Sequence, residues 1–243
     1  MILIIKHVDV EGPGTIEEYF QNQGFELKTI ELDKDDPLPR DFNGIEAVIS
    51  MGGPMNVYEE DKYPFLRDED FLLKRAIKEE IPFLGVCLGS QLIVKAYGAK
   101  VTKSPVKEVG WFKVRLENDG QQDPLFQGLD GEIDVFHWHE DMFEIPSSAK
   151  RLATADGCPN QAVKIGPCAY GLQFHVEVTE PIITDWCENY LKSSDPALVQ
   201  KAKDMIATYQ KKRAFFNKTA EKIYGNFEKI MESHKATRSH ERR

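Results

Sequence analysis

Apolar and polar positions alternate between two rhythms along this chain. The runs MILIIKH, FELKTIEL, AVISMGG and IPFLGV are continuous stretches of β-branched and aliphatic residues, the character of strands buried on both faces. Between them, Thr15–Gln23 and Phe65–Glu80 carry the pattern of helices. Strand and helix in turn predict a mostly parallel, doubly wound α/β sheet covered on both sides. The unit IPFLGVCLGSQLIVKAYGA reads as strand, sharp turn and helix ending at Gly98.

Beyond this unit the rhythm changes. EVGWFKVRLE, DVFHWHEDMFEIP, RLATADG, QAVKIG and YGLQFHVEV are strand-like runs separated by Gly, Pro, Asn and Asp, so a strand-rich second half is added to the sheet. From about Asp195 the chain turns helical again, with Pro196 suited to the first helical position. Leu198, Met205, Tyr209, Phe216, Ile223, Phe227 and Ile230 share one face of that segment. The expected organisation is an α/β domain over residues 1–194 and an amphipathic helical extension over 195–243.

With 243 residues, 41% of them hydrophobic and 29% charged, the chain can bury one sizeable core. The net charge of -9 argues against a nucleic-acid partner, which needs a basic face. That charge is unevenly spread: residues 195–243 hold twelve Lys/Arg against six Asp/Glu, leaving nineteen against thirty-four in the remainder. The basic tail is therefore expected to lie on its own acidic body or on a partner, such as a second copy in a homodimer. MILIIKHVD is apolar for only five positions before Lys6, too short for a signal peptide or membrane span, which points to a cytoplasmic protein without membrane contact. Cys87, Cys158, Cys168 and Cys187 lack the spacing of a disulfide framework or zinc ribbon, so reduced thiols are expected, the last three as packing residues.

Candidate chemistry begins at Gly85-Val86-Cys87-Leu88-Gly89, the spacing of a nucleophile elbow with cysteine at its centre. Such a turn exposes the sulfur at a helix N-terminus, whose partial positive charge favours thiolate. Thiol chemistry also needs an imidazole to carry the proton and a group that fixes its tautomer. Phe174-His175-Val176-Glu177-Val178 offers both, since residues two apart on a strand face one side. His137 and His139 also share a strand face, but no third ligand of suitable spacing follows them, so no metal is expected.

GVCLGSQ followed later by GLQFHVEV resembles the class I, triad-type glutamine amidotransferases over roughly residues 1–190, and KYPFLRDE, EVGW and HWHED resemble the amidotransferase half of guanosine-monophosphate synthase more weakly. The resemblance implies a flavodoxin-like fold and a Cys87–His175–Glu177 triad that needs no cofactor. It places the Gly53 amide, from the Gly-Gly-Pro loop, and the Leu88 amide in an oxyanion hole, a contribution of about 3–4 kcal/mol per donor. Gln91, one turn past Cys87, would help hold the substrate's amino-acid part, with His139 and Asp141 near its α-amino group. Glu140 stands where that family segment has glycine. Trp111 is expected either to wall the pocket or to pack in the core.

The implied reaction is attack of the Cys87 thiolate on the glutamine side-chain amide, release of ammonia, and hydrolysis of a γ-glutamyl thioester to glutamate. No Walker-type loop or Ser-Gly-Gly-x-Asp motif is present, so an ammonia-consuming synthase is expected either on a separate chain or not at all. Two alternatives remain: a γ-glutamyl peptidase or hydrolase using the same triad, and a non-enzymatic stress or redox protein on a flavodoxin-like scaffold.

Overall fold

The structure, a computed structural model, describes residues 1–191 and 194–241. Its elements in chain order are β1 (Ile2–Lys6), α1 (Thr15–Asn22), β2 (Leu27–Glu31), β3 (Ala47–Ser50), α2 (Phe65–Lys78), β4 (Phe83–Val86), α3 (Leu88–Ala96), β5 (Val101–Leu116), α4 (Asn118–Gln122), β6 (Glu132–Phe143), β7 (Lys150–Thr154), β8 (Ala162–Ile165), β9 (Ala169–Leu172), α5 (Glu180–Tyr190) and α6 (Pro196–Glu241). The nine strands form one sheet in the order β2-β1-β3-β4-β9-β8-β7-β5-β6. Strands β2, β1, β3, β4 and β9 are mutually parallel, and β8, β7, β5 and β6 continue the sheet in antiparallel pairs.

The all-apolar strands are explained by cover on both faces. Alternate residues of β1 enter different cores: Ile2 and Ile4 pack with α1, α5 and α6, while Leu3 and Ile5 pack with α2 and α3. Because β2 and β3 lie on opposite sides of β1, the winding reverses between β1 and β3, and a crevice opens beyond their carboxyl ends. The chain leaving β1, β3, β4 and β9 converges on that crevice.

Helix α6 joins the main core. Met205, Tyr209, Phe216, Ile223, Tyr224, Phe227 and Met231 are buried in the same cluster as the strand residues. Its positive charge meets the acidic body in part, through Lys212 to Asp134 at 2.7 Å and Lys235 to Glu46 at 2.9 Å. Residues 195–243 were expected as an amphipathic helical extension, and the apolar face of α6 forms one wall of the sheet's packing. Trp111 belongs to this wall: its ring packs against Phe136 and Phe216, and its indole N–H donates to the Met205 carbonyl at 3.0 Å. Of the two places expected for it, packing beneath α6 is the one the structure shows. Among the described residues no helix is long and apolar enough to cross a membrane.

Candidate active site

Cys87 follows β4 directly and precedes α3, in a conformation that side chains rarely adopt, φ 50° and ψ -104°. Two glycines make this turn possible by close approach. A β-carbon on Gly85 would stand 2.5 Å from the Gly89 carbonyl carbon, and one on Gly89 would overlap the Ser50 carbonyl of β3. The strain, of order 1–3 kcal/mol for such a residue, is held by the Cys87 N–H bond to Leu172 O at 2.8 Å and by the start of α3. Leu88 is the first helical residue, so its amide has no intrahelical acceptor and is available to the crevice.

The strand expected through FHVEV ends early. β9 stops at Leu172, and His175 then forms an isolated antiparallel bridge with Phe136 of β6, its N–H donating to Phe136 O at 2.8 Å. This departure from the sheet carries the imidazole toward Cys87. His175 Nδ1 lies 2.6 Å from Glu177 Oε1, while Glu177 Oε2 accepts the Val176 N–H at 3.0 Å. His175 Nε2 is buried without a hydrogen-bond partner, and the His175 ring interacts with Cys87. Burial opposes a charge on this ring, but the Glu177 carboxylate and the Cys87 sulfur outweigh it and hold the His175 pKa well above the usual imidazole range. The Trp186 ring stands edge-on against the imidazole, centroids 4.8 Å apart, and limits its rotation.

Gly53 and Leu88 meet beside the sulfur, and a β-carbon on Gly53 would lie 2.8 Å from Leu88 Cδ2. The loop is fixed from behind by His7, whose Nδ1 donates to Gly52 O at 3.0 Å and whose Nε2 meets Glu69 at 2.7 Å. Ser50 donates to the other Glu69 oxygen at 2.7 Å. Burial disfavours the His7 cation, yet Glu69 outweighs that effect and raises its pKa above the usual value.

A cleft of about 470 Å³ opens at this point, lined by Cys87, Gly53, Leu88, Gln91, His139 and Asp141 among others. Gln91 is buried, its amide donating to Asp141 O at 3.3 Å and to Gln173 Oε1 at 3.1 Å, and the Gln173 amide reaches Cys87 Sγ at 3.8 Å. Asp141 accepts the Tyr58 hydroxyl at 3.0 Å and pairs with Lys103 at 2.8 Å. Glu140, exposed on the rim, pairs with Lys107. Apart from Trp111, the residues expected at the site are thus gathered in one crevice.

His139 lines the cleft, but both its ring nitrogens are engaged by neighbouring groups. Its Nδ1 donates to Asp141 O at 3.0 Å, and its Nε2 faces Glu108 Oε2 at 2.9 Å and His137 Nδ1 at 3.1 Å. The third ligand sought after His139 in fact precedes it: Glu108 on β5 is paired in register with His139 on β6. These three buried groups place ligand atoms within 4.8 Å of one another, so they are the residues that could hold a metal ion. Gln161 already donates to Glu108 at 2.9 Å, so the carboxylate is shared between the Gln161 amide and the His139 ring. His137 is held well below the usual imidazole value by burial and by the neighbouring charges of His139 and His175.

Glu11 and Tyr190, which line the crevice, and Gln173 and Glu108, which lie behind it against Gln91 and His139, were not singled out by the motif reading. Glu11 and Tyr190 line the cleft, and the Tyr190 hydroxyl donates to Glu11 at 3.0 Å. Their sequence contexts, DVEGPG and ENY, have the look of ordinary turn and helix surface.

Residues 13–185 match the family model described as glutamine amidotransferase class-I, most of the chain and most of this crevice. The chain belongs to the class-I glutamine amidotransferase family. It is 30% identical over 94% of its length, and 91% of the relative's, to the glutamine amidotransferase-like protein YfeJ of Salmonella typhimurium. A glutamine-hydrolyzing GMP synthase of Thermosipho africanus is 36% identical over 57% of this chain but only 25% of its own length. The chain therefore spans about a quarter of such synthases. Among solved structures, a glutamine amidotransferase from Thermotoga maritima superposes with a TM-score of 0.84 at 32% identity, covering 95% of this chain and 97% of that one. One from Methylobacillus flagellatus gives 0.80 at 27% identity, with 94% of each chain covered. The superposition with the Thermotoga maritima protein, over 95% of this chain, takes in most of α6 as well as the sheet.

Proposed function

We propose that the protein hydrolyses the γ-amide of glutamine through a Cys87–His175–Glu177 triad. The observation that carries the reading is the 2.6 Å contact of Glu177 with His175 Nδ1 beside a cysteine held in a strained elbow. In this reading Glu177 fixes the tautomer in which Nε2 exchanges its proton with the thiol. The Cys87 thiolate attacks the amide carbon, the Gly53 and Leu88 amides take the developing oxyanion, and imidazolium Nε2–H protonates the nitrogen as the C–N bond breaks. Water, deprotonated by His175, then releases glutamate from the thioester. The Lys103–Asp141 pair complements the zwitterionic end of the substrate, ammonium against Asp141 and carboxylate against Lys103. Gln91 steadies the Asp141 backbone. No metal or cofactor takes part, the chain is cytoplasmic, and a synthase on a separate chain would consume the ammonia.

A second reading, a hydrolase of γ-glutamyl amides or peptides, is favoured by the size of the cleft, about 470 Å³, which leaves room for a leaving group larger than ammonia. Glutamate release from glutamine and from a γ-glutamyl dipeptide, by wild type and Cys87→Ala, separates the two. Activity lost in the variant supports the thiol mechanism, and the preferred substrate decides the class. Activity retained by Cys87→Ala refutes both.

A further inference from the structure

Glu11 is a buried carboxylate with no part in the triad chemistry. It follows β1 at the reversal of the sheet's winding and lines the cleft with Cys87. Oε1 accepts the Tyr190 hydroxyl at 3.0 Å. Oε2 fills the space that a Gly52 β-carbon would take, and that β-carbon position lies 3.4 Å from His175 Cε1. Glu11 therefore stands at the ring edge between the nitrogen that Glu177 holds and the nitrogen that serves the thiol. The proton delivered to the leaving nitrogen comes from that second nitrogen, so the departing group must pass within reach of Glu11.

A carboxylate is a costly choice for such a place. Burial raises the Glu11 pKa, opposed by the nearby His175, the Tyr190 hydroxyl and His7, while Glu177 adds to the rise. Leu or Met would fill the volume without that cost, and the triad's geometry does not need the charge.

We propose that Glu11, steadied by Tyr190, forms the leaving-group subsite, accepting N–H groups of the departing amine and selecting neutral or cationic amines over amines that carry a carboxylate. The proposal rests on the thiol-hydrolase reading above and adds the substrate class. When the C–N bond breaks, the electron pair stays on nitrogen and the amine leaves with the His175 proton, while the acyl group remains on sulfur. An amine bearing a second ammonium gains from Glu11, and a leaving amino acid brings its carboxylate against a like charge in a poorly solvated place.

The test uses three γ-glutamyl amides of similar size, with ethylamine, ethylenediamine or glycine as leaving group, and compares kcat/KM for wild type, Glu11→Gln and Tyr190→Phe. Wild type should prefer the ethylenediamine amide to the glycine amide by about tenfold or more. Glu11→Gln keeps the size and the tyrosine bond, and should erase that preference. Tyr190→Phe keeps the charge and should retain its direction. A second readout needs no turnover: the rate of Cys87 alkylation by iodoacetate relative to iodoacetamide should rise in Glu11→Gln. Ratios unchanged by Glu11→Gln in both assays overturn the subsite, whereas turnover that survives Cys87→Ala overturns the thiol reading beneath it.

Discussion

Glu177 uses both carboxylate oxygens, one against His175 Nδ1 at 2.6 Å and one accepting the Val176 N–H at 3.0 Å, inside a region where both residues are buried. Glu177→Gln is isosteric but has one acceptor where two are needed. If its oxygen faces His175, its NH2 is set against the Val176 N–H, and an orphaned buried donor costs about 1–3 kcal/mol. If the amide is reversed, NH2 faces His175 Nδ1 and drives the ring hydrogen onto Nε2, the tautomer that cannot take a proton from the thiol. Loss of the orienting carboxylate in triads of this kind lowers kcat by about 10⁴, or about 5.4 kcal/mol of transition-state stabilisation. The carboxylate is also the leading influence that raises His175 against its burial, so the variant's imidazole should titrate lower. The measurements are glutamate release and the pH dependence of Cys87 alkylation by iodoacetamide. A Glu177→Gln enzyme within about threefold of wild type, with an unshifted alkylation profile, would falsify the role given to Glu177.

Gly89→Ala sets a β-carbon into the Ser50 carbonyl, a rigid backbone neighbour, and should cost at least the 1–3 kcal/mol typical of overpacking while displacing Cys87; urea denaturation alongside alkylation rate checks both, and a fully stable, reactive variant sinks the close-approach account. His7 and His175 both have folded pKa values raised above the ordinary imidazole value. Their stabilising contribution is complete below about pH 6.5 and is lost as pH rises through the folded values, so melting temperature should fall on the alkaline side. His7→Gln should flatten part of that slope, and curves parallel to wild type would count against the His7–Glu69 ion pair. Phe227→Ala, in the fully buried face of α6, should cost about 3–5 kcal/mol by denaturant titration with the Cys87 alkylation rate kept in the remaining folded protein. A cost under about 1 kcal/mol would mean that α6 is not part of the core. Cys158, whose thiol burial raises to about 11, should stay unmodified at a pH where Cys87 reacts, as mass spectrometry of the alkylated protein can show.

Local rules carry a long way in this chain. Continuous apolar runs can be satisfied only by strands covered on both faces, and the helical repeats between them supply that cover, so the α/β class follows from periodicity alone. The elbow is equally local: its glycines and cysteine are neighbours in sequence, and the strained turn between β4 and α3 is built from them. His175 and Glu177 are likewise two residues apart, and a bend in the backbone suffices to bring carboxylate and imidazole together.

What lay beyond local rules depended on which elements meet. The early end of β9 is set by a bridge to Phe136, a residue on another strand, and this aims His175 at the sulfur. Trp111 left two environments open in its own sequence context, and the docking of α6 chose between them. Glu108 joins the two histidines because β5 and β6 pair in one register, a choice that spacing along the chain does not encode. Glu11 and Tyr190, separated by most of the polypeptide, share a hydrogen bond only because β1 and α5 end at the same crevice. Periodicity and turn chemistry are properties of a few consecutive residues and can be read directly. The pairing of distant carboxylates, rings and hydroxyls is a property of the closed sheet, and emerges only when the chain ends of four parallel strands are brought to one side.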